Sequence, residues 1–301
     1  MAEHLVQANG LTLWAEDFGS PNDPAVLLIM GAASQGIGWP DELCTALAQG
    51  GRYVIRYDHR DTGKSSLVDF TTAPYTISDM AEDAIGLLDA LNVEAAHLVG
   101  VSMGGMIAQQ FVLNAPERAL SLTSWMSTPL SETLMVINSG TPHDHALPGC
   151  APVVLAAAAL QPSTPNPTRE QIIEGNIGMI RALTGTLAPF DEPRQRRMET
   201  LALERATSIT SAFNHGLAIA QSPDRSDSLG AVSIPTLVLH GTADPMFPIE
   251  HGIATADAIP GARFVPIEGL GHEVPLAVVP TIVPLLLEHT ADAIASRQRS
   301  V

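Results

Sequence analysis

Ser102 lies in Gly100-Val101-Ser102-Met103-Gly104, with a glycine two positions to either side of the hydroxyl. The apolar run His97–Gly100 precedes it and the helical period Met103–Asn114 follows. A strand turning this tightly into a helix leaves room only for small flanking residues, and it pushes the serine Oγ out above the sheet. The helix start then offers backbone N–H groups where negative charge builds on an attacked carbonyl. A hydroxyl is a poor nucleophile until a base takes its proton, and the base needs an orienting acid. The chain order to look for is serine, acid, histidine. The strand pattern Thr236–His240 runs into Gly241-Thr242-Ala243-Asp244-Pro245, and Arg263–Ile267 runs into Glu268-Gly269-Leu270-Gly271-His272. Reactive groups in open α/β sheets gather at the carboxyl ends of strands. Asp244 and His272 are therefore the expected acid and base, and the chemistry is acyl transfer through a serine.

Such a site also needs an oxyanion hole. One donor is the amide of Met103. The second is expected from the loop after Val26–Met30, whose Met30-Gly31-Ala32-Ala33-Ser34 lets a backbone approach a bound carbonyl. Ala32 is the first choice and Ala33 the next. The other histidines are less well placed. His240 belongs to a strand interior and reads as structural; His59, His215 and His251 have no accompanying acid at a strand end; His143 and His145 sit in a Pro-flanked loop without further metal ligands. Asp61-Thr62-Gly63-Lys64-Ser65 contains the GKS of a phosphate loop, but the first glycine of GxxxxGK[ST] would fall on Asp58. A carboxylate there repels phosphate, which excludes nucleotide binding.

The elements that must position these residues follow from hydrophobic period. Leu11–Glu16, Val26–Met30, Tyr53–Tyr57, His97–Gly100 and Leu120–Trp125 read as strands; Trp39–Gln49, Ile77–Leu91 and Met103–Asn114 read as helices. Ser78 and Asp79 mark the N-cap region of the second helix. This alternation builds a mostly parallel sheet with right-handed crossovers. Between residues 128 and 230 the pattern changes: Pro162, Pro165, Pro167, Pro189 and Pro193 interrupt helical segments, chiefly Gln171–Leu183 and Arg194–Ala220. The α/β pattern then resumes, with helices near Glu250–Ala258 and Val274–His289. The expected organisation is one core, 1–127 with 231–301, carrying a helical cap, 128–230.

Composition bounds the partners. The 301 residues hold 15 Lys+Arg against 32 Asp+Glu, a formal charge of −17. That balance argues against nucleic acid and anionic membranes, which need a basic face. The longest apolar runs, VLLIMGAA and PVVLAAAAL, fall short of the ~20 residues that cross a bilayer, and the first residues lack the pattern of a secretory signal. Cys44 and Cys150 have no disulfide-framework or metal spacing, so reduced thiols and a cytoplasmic location are expected. No cofactor or metal is expected, because the two-step transfer needs only water. Monomer and homodimer both stay open.

On the pieces Met30-Gly31, Tyr57-Asp58-His59-Arg60-Asp61-Thr62-Gly63-Lys64-Ser65, Gly100-Val101-Ser102-Met103-Gly104-Gly105, Asp244 and Gly271-His272, the chain resembles the α/β-hydrolase fold superfamily over essentially its whole length. That resemblance implies a mostly parallel central sheet flanked by helices, with Val26–Met30 as the third strand and the helical cap inserted after the sixth. IMGAASQGIGWPDE, VIRYDHRDTGKSS and LVGVSMGG together are similar to the aclacinomycin methylesterase group of polyketide-tailoring esterases. This implies hydrolysis of a methyl ester on an anthracycline-like polyketide, with Ser102, Asp244 and His272 as triad. Two positions depart from the pattern: Met30 replaces the histidine most relatives carry before the oxyanion glycine, and Asp61 replaces a common glycine. The expected function is a serine carboxylesterase acting on methyl or short esters of bulky hydrophobic compounds. The competitors are the same triad used for lactone, C–C or amide cleavage or for perhydrolysis, and a small-molecule receptor with residual hydrolysis. A peptidase would want a cap carboxylate for the substrate amine, for which Glu204 and Asp191 are the candidates; a solvated cap face explains both more simply.

Overall fold

Strands and helices alternate along the chain because the hydrophobic period itself alternates. The computed structural model describes residues 1–139, 145–162 and 167–299; His143 and Pro165 lie outside the described residues. In chain order the elements are β1 (Ala2–Ala8), β2 (Leu11–Phe18), β3 (Ala25–Ile29), α1 (Asp41–Gln49), β4 (Tyr53–Tyr57), α2 (Ile77–Ala90), β5 (Ala96–Val101), α3 (Met103–Asn114) and β6 (Ala119–Trp125). Five helices follow: α4 (Glu132–Asn138), α5 (Pro152–Ala159), α6 (Arg169–Leu183), α7 (Glu192–Arg205) and α8 (Asn214–Ala220). The α/β pattern closes with β7 (Thr236–Gly241), α9 (Glu250–Ala258), β8 (Arg263–Ile267) and α10 (Val279–Arg299).

The strands form one 8-stranded sheet in the order β1-β2-β4-β3-β5-β6-β7-β8. β1 and β2 pair antiparallel, as do β2 and β4; every later pair is parallel. Order reverses at β3, beside β5, which is where a doubly wound sheet opens a crevice above its carboxyl edge. β3 is buried on both faces: Ala25, Leu27 and Ile29 enter the core under α2 and α3, while Val26 and Leu28 meet α1 and α10 across the other face. Strands covered on both sides read as continuous apolar runs for this reason.

The structure adds a strand that the hydrophobic pattern had left unassigned. β1 alternates AEHLVQA on the sheet edge, exposed along most of its length, and joins β2 through Asn9 (φ 49) and Gly10 (φ 77). Asn-Gly with both residues left-handed is the hairpin turn that matches strand twist. With β1 counted, the cap does follow the sixth strand. α2 starts at Ile77, as the period predicts, but its N-cap is Thr76, two residues before Ser78: Thr76 accepts from the Asp79 amide while the Asp79 side chain accepts from Thr76 N–H.

The cap helices differ from expectation in one place. Arg194–Ala220 is not one helix. α7 ends at Arg205, and residues 206–213 leave the helical path because their hydroxyls and amides bond to the core. Thr207 N–H and Oγ1 donate to Gly63 O, at 2.9 and 3.2 Å, and Ser211 Oγ donates to Asp61 O at 2.7 Å. Hydroxyl residues compete with helix for backbone partners, and here the competitor is tertiary. α4 and α5 are additional cap helices, and α10 begins at Val279 after a 3-10 turn, Leu276–Val278. The stretch Leu276–Ala295 is long and apolar enough to cross a membrane by length and composition, more than the charge-free runs alone suggested. Its Ile282 and Leu286 pack into the sheet core.

Candidate active site

Ser102 occupies the tight turn between β5 and α3 at φ 56 and ψ −124. A non-glycine residue in this left-handed region is strained, and the neighbours over-determine it. Ser102 N–H donates to Trp125 O at 2.9 Å, and Ser102 O accepts from Gly105 N at 2.9 Å and from Ser127 Oγ at 2.7 Å. The flanking glycines are sterically required: a Cβ on Gly100 would lie 2.1 Å from Gly104 O, and one on Gly104 would lie 2.0 Å from Ile29 O.

The structure brings Asp244 and His272 to this turn. His272 Nε2 is 2.9 Å from Ser102 Oγ, and His272 Nδ1 donates to Asp244 Oδ2 at 2.7 Å. The other carboxylate oxygen, Asp244 Oδ1, accepts from the amides of Met246 (2.8 Å) and Phe247 (2.9 Å). Those two bonds orient the acid, and the carboxylate that faces the imidazole is fully buried. The Phe247 ring stands edge-on to His272, 5.1 Å between centroids. His240 packs behind Asp244, its Nε2–H donating to Phe247 O at 2.7 Å; burial pushes its pKa down, so it stays neutral.

The cap holds the His272 loop by backbone contacts. His272 N–H donates to Leu183 O at 2.8 Å, and Thr186 and Leu187 N–H donate to Gly269 O at 2.7 and 2.8 Å. The approach is close enough to need glycine, since a Cβ on Gly185 would sit 2.3 Å from Gly269 O. Glu273, next to the histidine, is half-buried with its carboxyl pKa raised by that burial.

On the opposite side, Gly31 lies against the serine: a Cβ there would be 3.3 Å from Ser102 Cβ and 3.8 Å from Ser102 Oγ. Among the described residues, the amides of Ala32 and Met103 have no protein acceptor. The Ala33 amide does. It donates to His215 Nδ1 at 3.0 Å, so of the two alanines it is Ala32 whose amide is unpartnered among the described residues.

Residues outside this group have structural partners. Asp58 accepts from Gly36 N (2.8 Å) and Lys64 N (3.0 Å) and pairs with Arg205 at 3.1 Å, with burial raising its pKa. The GKS segment therefore wraps a buried carboxylate. Asp61, at φ 67, tolerates a glycine-like conformation because its side chain accepts from Val68 N, Tyr75 OH and Asn214 Nδ2. Asp191 caps α7 through Arg194 N–H, and Glu204 is exposed. His145 Nδ1 accepts from Leu147 N, and His251 bridges Thr128 and Pro148. Among the described residues no three His, Cys, Asp or Glu side chains group to hold a metal ion. Sequence reasoning passed over Arg205 and Gln35 and set His215 aside; Arg205 donates to Gln35 and Asp58, Gln35 Nε2 donates to Ala202 O, and His215 accepts from Ala33 N–H, contacts that tie the cap to the loops around the site and that no local pattern marks.

A mostly parallel sheet with a serine at a strand–helix turn and an acid and histidine beyond later strands defines the α/β hydrolase architecture, and residues 24–276 match the model of the alpha/beta hydrolase fold. The chain belongs to that family. Among its relatives, rhodomycin D methylesterase DauP of Streptomyces sp. (strain C5) is 38% identical over 298 residues, 97% of this chain and 99% of that protein. Rhodomycin D methylesterase DnrP of Streptomyces peucetius is 36% identical over 297 residues, with the same coverage of 97% and 99%. An esterase from Exiguobacterium antarcticum shares the fold with a TM-score of 0.74 at 22% identity, covering 96% of this chain and 100% of its own.

Proposed function

We propose that the protein is a serine carboxylesterase in which Ser102 is the nucleophile, His272 the general base and Asp244 the orienting acid. One observation carries the assignment: Ser102 Oγ, His272 and Asp244 are linked by hydrogen bonds of 2.9 and 2.7 Å, across three separate strand ends. His272 takes the serine proton as Oγ attacks the ester carbonyl. The amides of Ala32 and Met103 receive the oxyanion, a contact for which removal of one donor typically costs ~10²–10³ in turnover. His272 then protonates the departing alcohol and activates water to release the acid, while Asp244 holds the tautomer and stabilises the imidazolium. In this reading residues 1–127 and 231–301 form the catalytic core and 128–230 the cap.

The substrate class we infer is methyl or short esters of bulky, hydrophobic, polyketide-like acids. Two end-to-end relatives named as rhodomycin D methylesterases support it. The test is a panel of soluble methyl and short-acyl esters against emulsified long-chain esters, run with wild type and Ser102→Ala. Many turnovers per chain on the soluble esters, lost in Ser102→Ala, are expected. A higher kcat/KM on long-chain emulsions would overturn the substrate class, and a stop near one event per chain would indicate a receptor instead.

A further inference from the structure

The loop that would carry the second oxyanion donor is held at both ends by buried imidazoles, one of them from the cap. At its start, Met30 O accepts from His59 Nε2–H at 2.9 Å; at its end, Ala33 N–H donates to His215 Nδ1 at 3.0 Å. His215 belongs to α8, is fully buried, and uses its other nitrogen to donate to Arg60 O at 2.9 Å. Those two backbone partners set both the tautomer and the ring plane. Arg60 is itself fixed, its guanidinium making two 2.6 Å bonds to Asp83 of α2. The two imidazoles pack edge to face, 5.7 Å between centroids. Between the held ends stand Gly31, against Ser102, and Ala32, whose amide has no acceptor among the described residues. Ala33 has φ 59, a conformation that a non-glycine residue keeps only under outside constraint.

We propose that His215 is a positioning residue of the oxyanion hole: the cap, through this side chain, fixes the Met30–Ala33 segment so that the Ala32 amide meets the developing charge. This rests on the esterase reading above. Its consequence is that loss of the Ala33–His215 bond weakens transition-state binding and leaves ground-state binding alone, since a displacement of 1 Å in such a site costs on the order of 10²-fold in rate.

Two substitutions separate the roles of the ring nitrogens. His215→Asn can place an amide oxygen where Nδ1 accepts from Ala33; His215→Gln reaches toward Arg60 O but leaves Ala33 N–H without its acceptor. The Gln variant is expected to lose on the order of 10²-fold in kcat with KM little changed, and the Asn variant to recover about tenfold of that loss. Affinity for a trifluoromethyl ketone, which forms an oxyanion-bearing adduct with the serine, should fall in step with kcat, whereas affinity for the product acid should not. Wild-type kcat in the Gln variant, or equal losses in both variants, would overturn the proposal. If neither variant folds, as thermal melts would show, replacement of Ala33 by lactic acid removes the donated N–H while keeping every side chain; an unchanged kcat there refutes the idea and a selective kcat loss supports it. Fluorophosphonate labelling keeps the two readings apart. A wild-type Ser102 that neither labels nor turns over ester defeats the esterase assignment, while a labelled, active wild type with indifferent His215 variants defeats this inference alone.

Discussion

Asp244→Asn should remove almost all turnover while leaving the site's shape intact. The structure dictates how the new amide must sit. Oδ1 accepts from two backbone amides, Met246 at 2.8 Å and Phe247 at 2.9 Å, so the asparagine oxygen has to stay there. Its NH2 group then takes the place of Oδ2, 2.7 Å from His272 Nδ1. Two donors cannot face each other, so the imidazole shifts its proton to Nε2. That nitrogen lies 2.9 Å from Ser102 Oγ and now presents a hydrogen where a lone pair must receive the serine proton. Comparable tautomer reversal in serine hydrolases costs about 10⁴-fold in kcat, or about 5.4 kcal/mol of barrier. The substitution is isosteric in a fully buried position, so the urea midpoint should move little by comparison. The assay is steady-state hydrolysis of a soluble activated ester together with the rate of fluorophosphonate labelling. A kcat within tenfold of wild type would show that Asp244 does not set the histidine tautomer.

Three further outcomes are expected. Gly185→Ala places a Cβ 2.3 Å from Gly269 O and 2.4 Å from Gly271 N, so it should push the His272 loop away and cut kcat on the order of 10²-fold; unchanged kinetics would show that the cap does not hold the base. Arg205→Leu strips the buried Asp58 carboxylate of its cation at 3.1 Å while leaving the Gly36 and Lys64 amides. Urea unfolding should report a loss of about 3 kcal/mol, the low end for breaking a buried pair, and no loss would mean that the pair is dispensable. Finally, burial holds His59 and His97 down to about 3, below the ordinary 6.5, so the unfolded chain binds more protons between those values. Stability should therefore fall as pH drops from about 6.5, on the order of 1 kcal/mol per pH unit for each of these two groups at most; the buried carboxyls of Asp58 and Asp83, raised from 3.8, oppose it. A urea midpoint that stays flat between pH 6.5 and 4.5 would contradict this.

What the sequence determined alone is whatever short-range sterics and periodicity control. Gly100 and Gly104 announce the turn at Ser102 because no larger side chain fits beside it, and the apolar runs of β3 and β5 announce a sheet covered on both faces. Asp244 and His272 were visible because strand ends are visible. The Asn9-Gly10 hairpin was equally local, and the short exposed alternation of β1 was the signal that went unused. The tertiary structure decided the rest. Thr207 and Ser211 leave the helix because Gly63 and Asp61 carbonyls happen to face them. The Ala33 amide is taken up by His215, a residue 182 positions away in the chain. Arg205 and Asp58 meet only when the cap closes on the core. A hydrogen bond or ion pair is decided by where two groups end up within about 3 Å of each other, and for groups so far apart in the chain that distance exists only after folding.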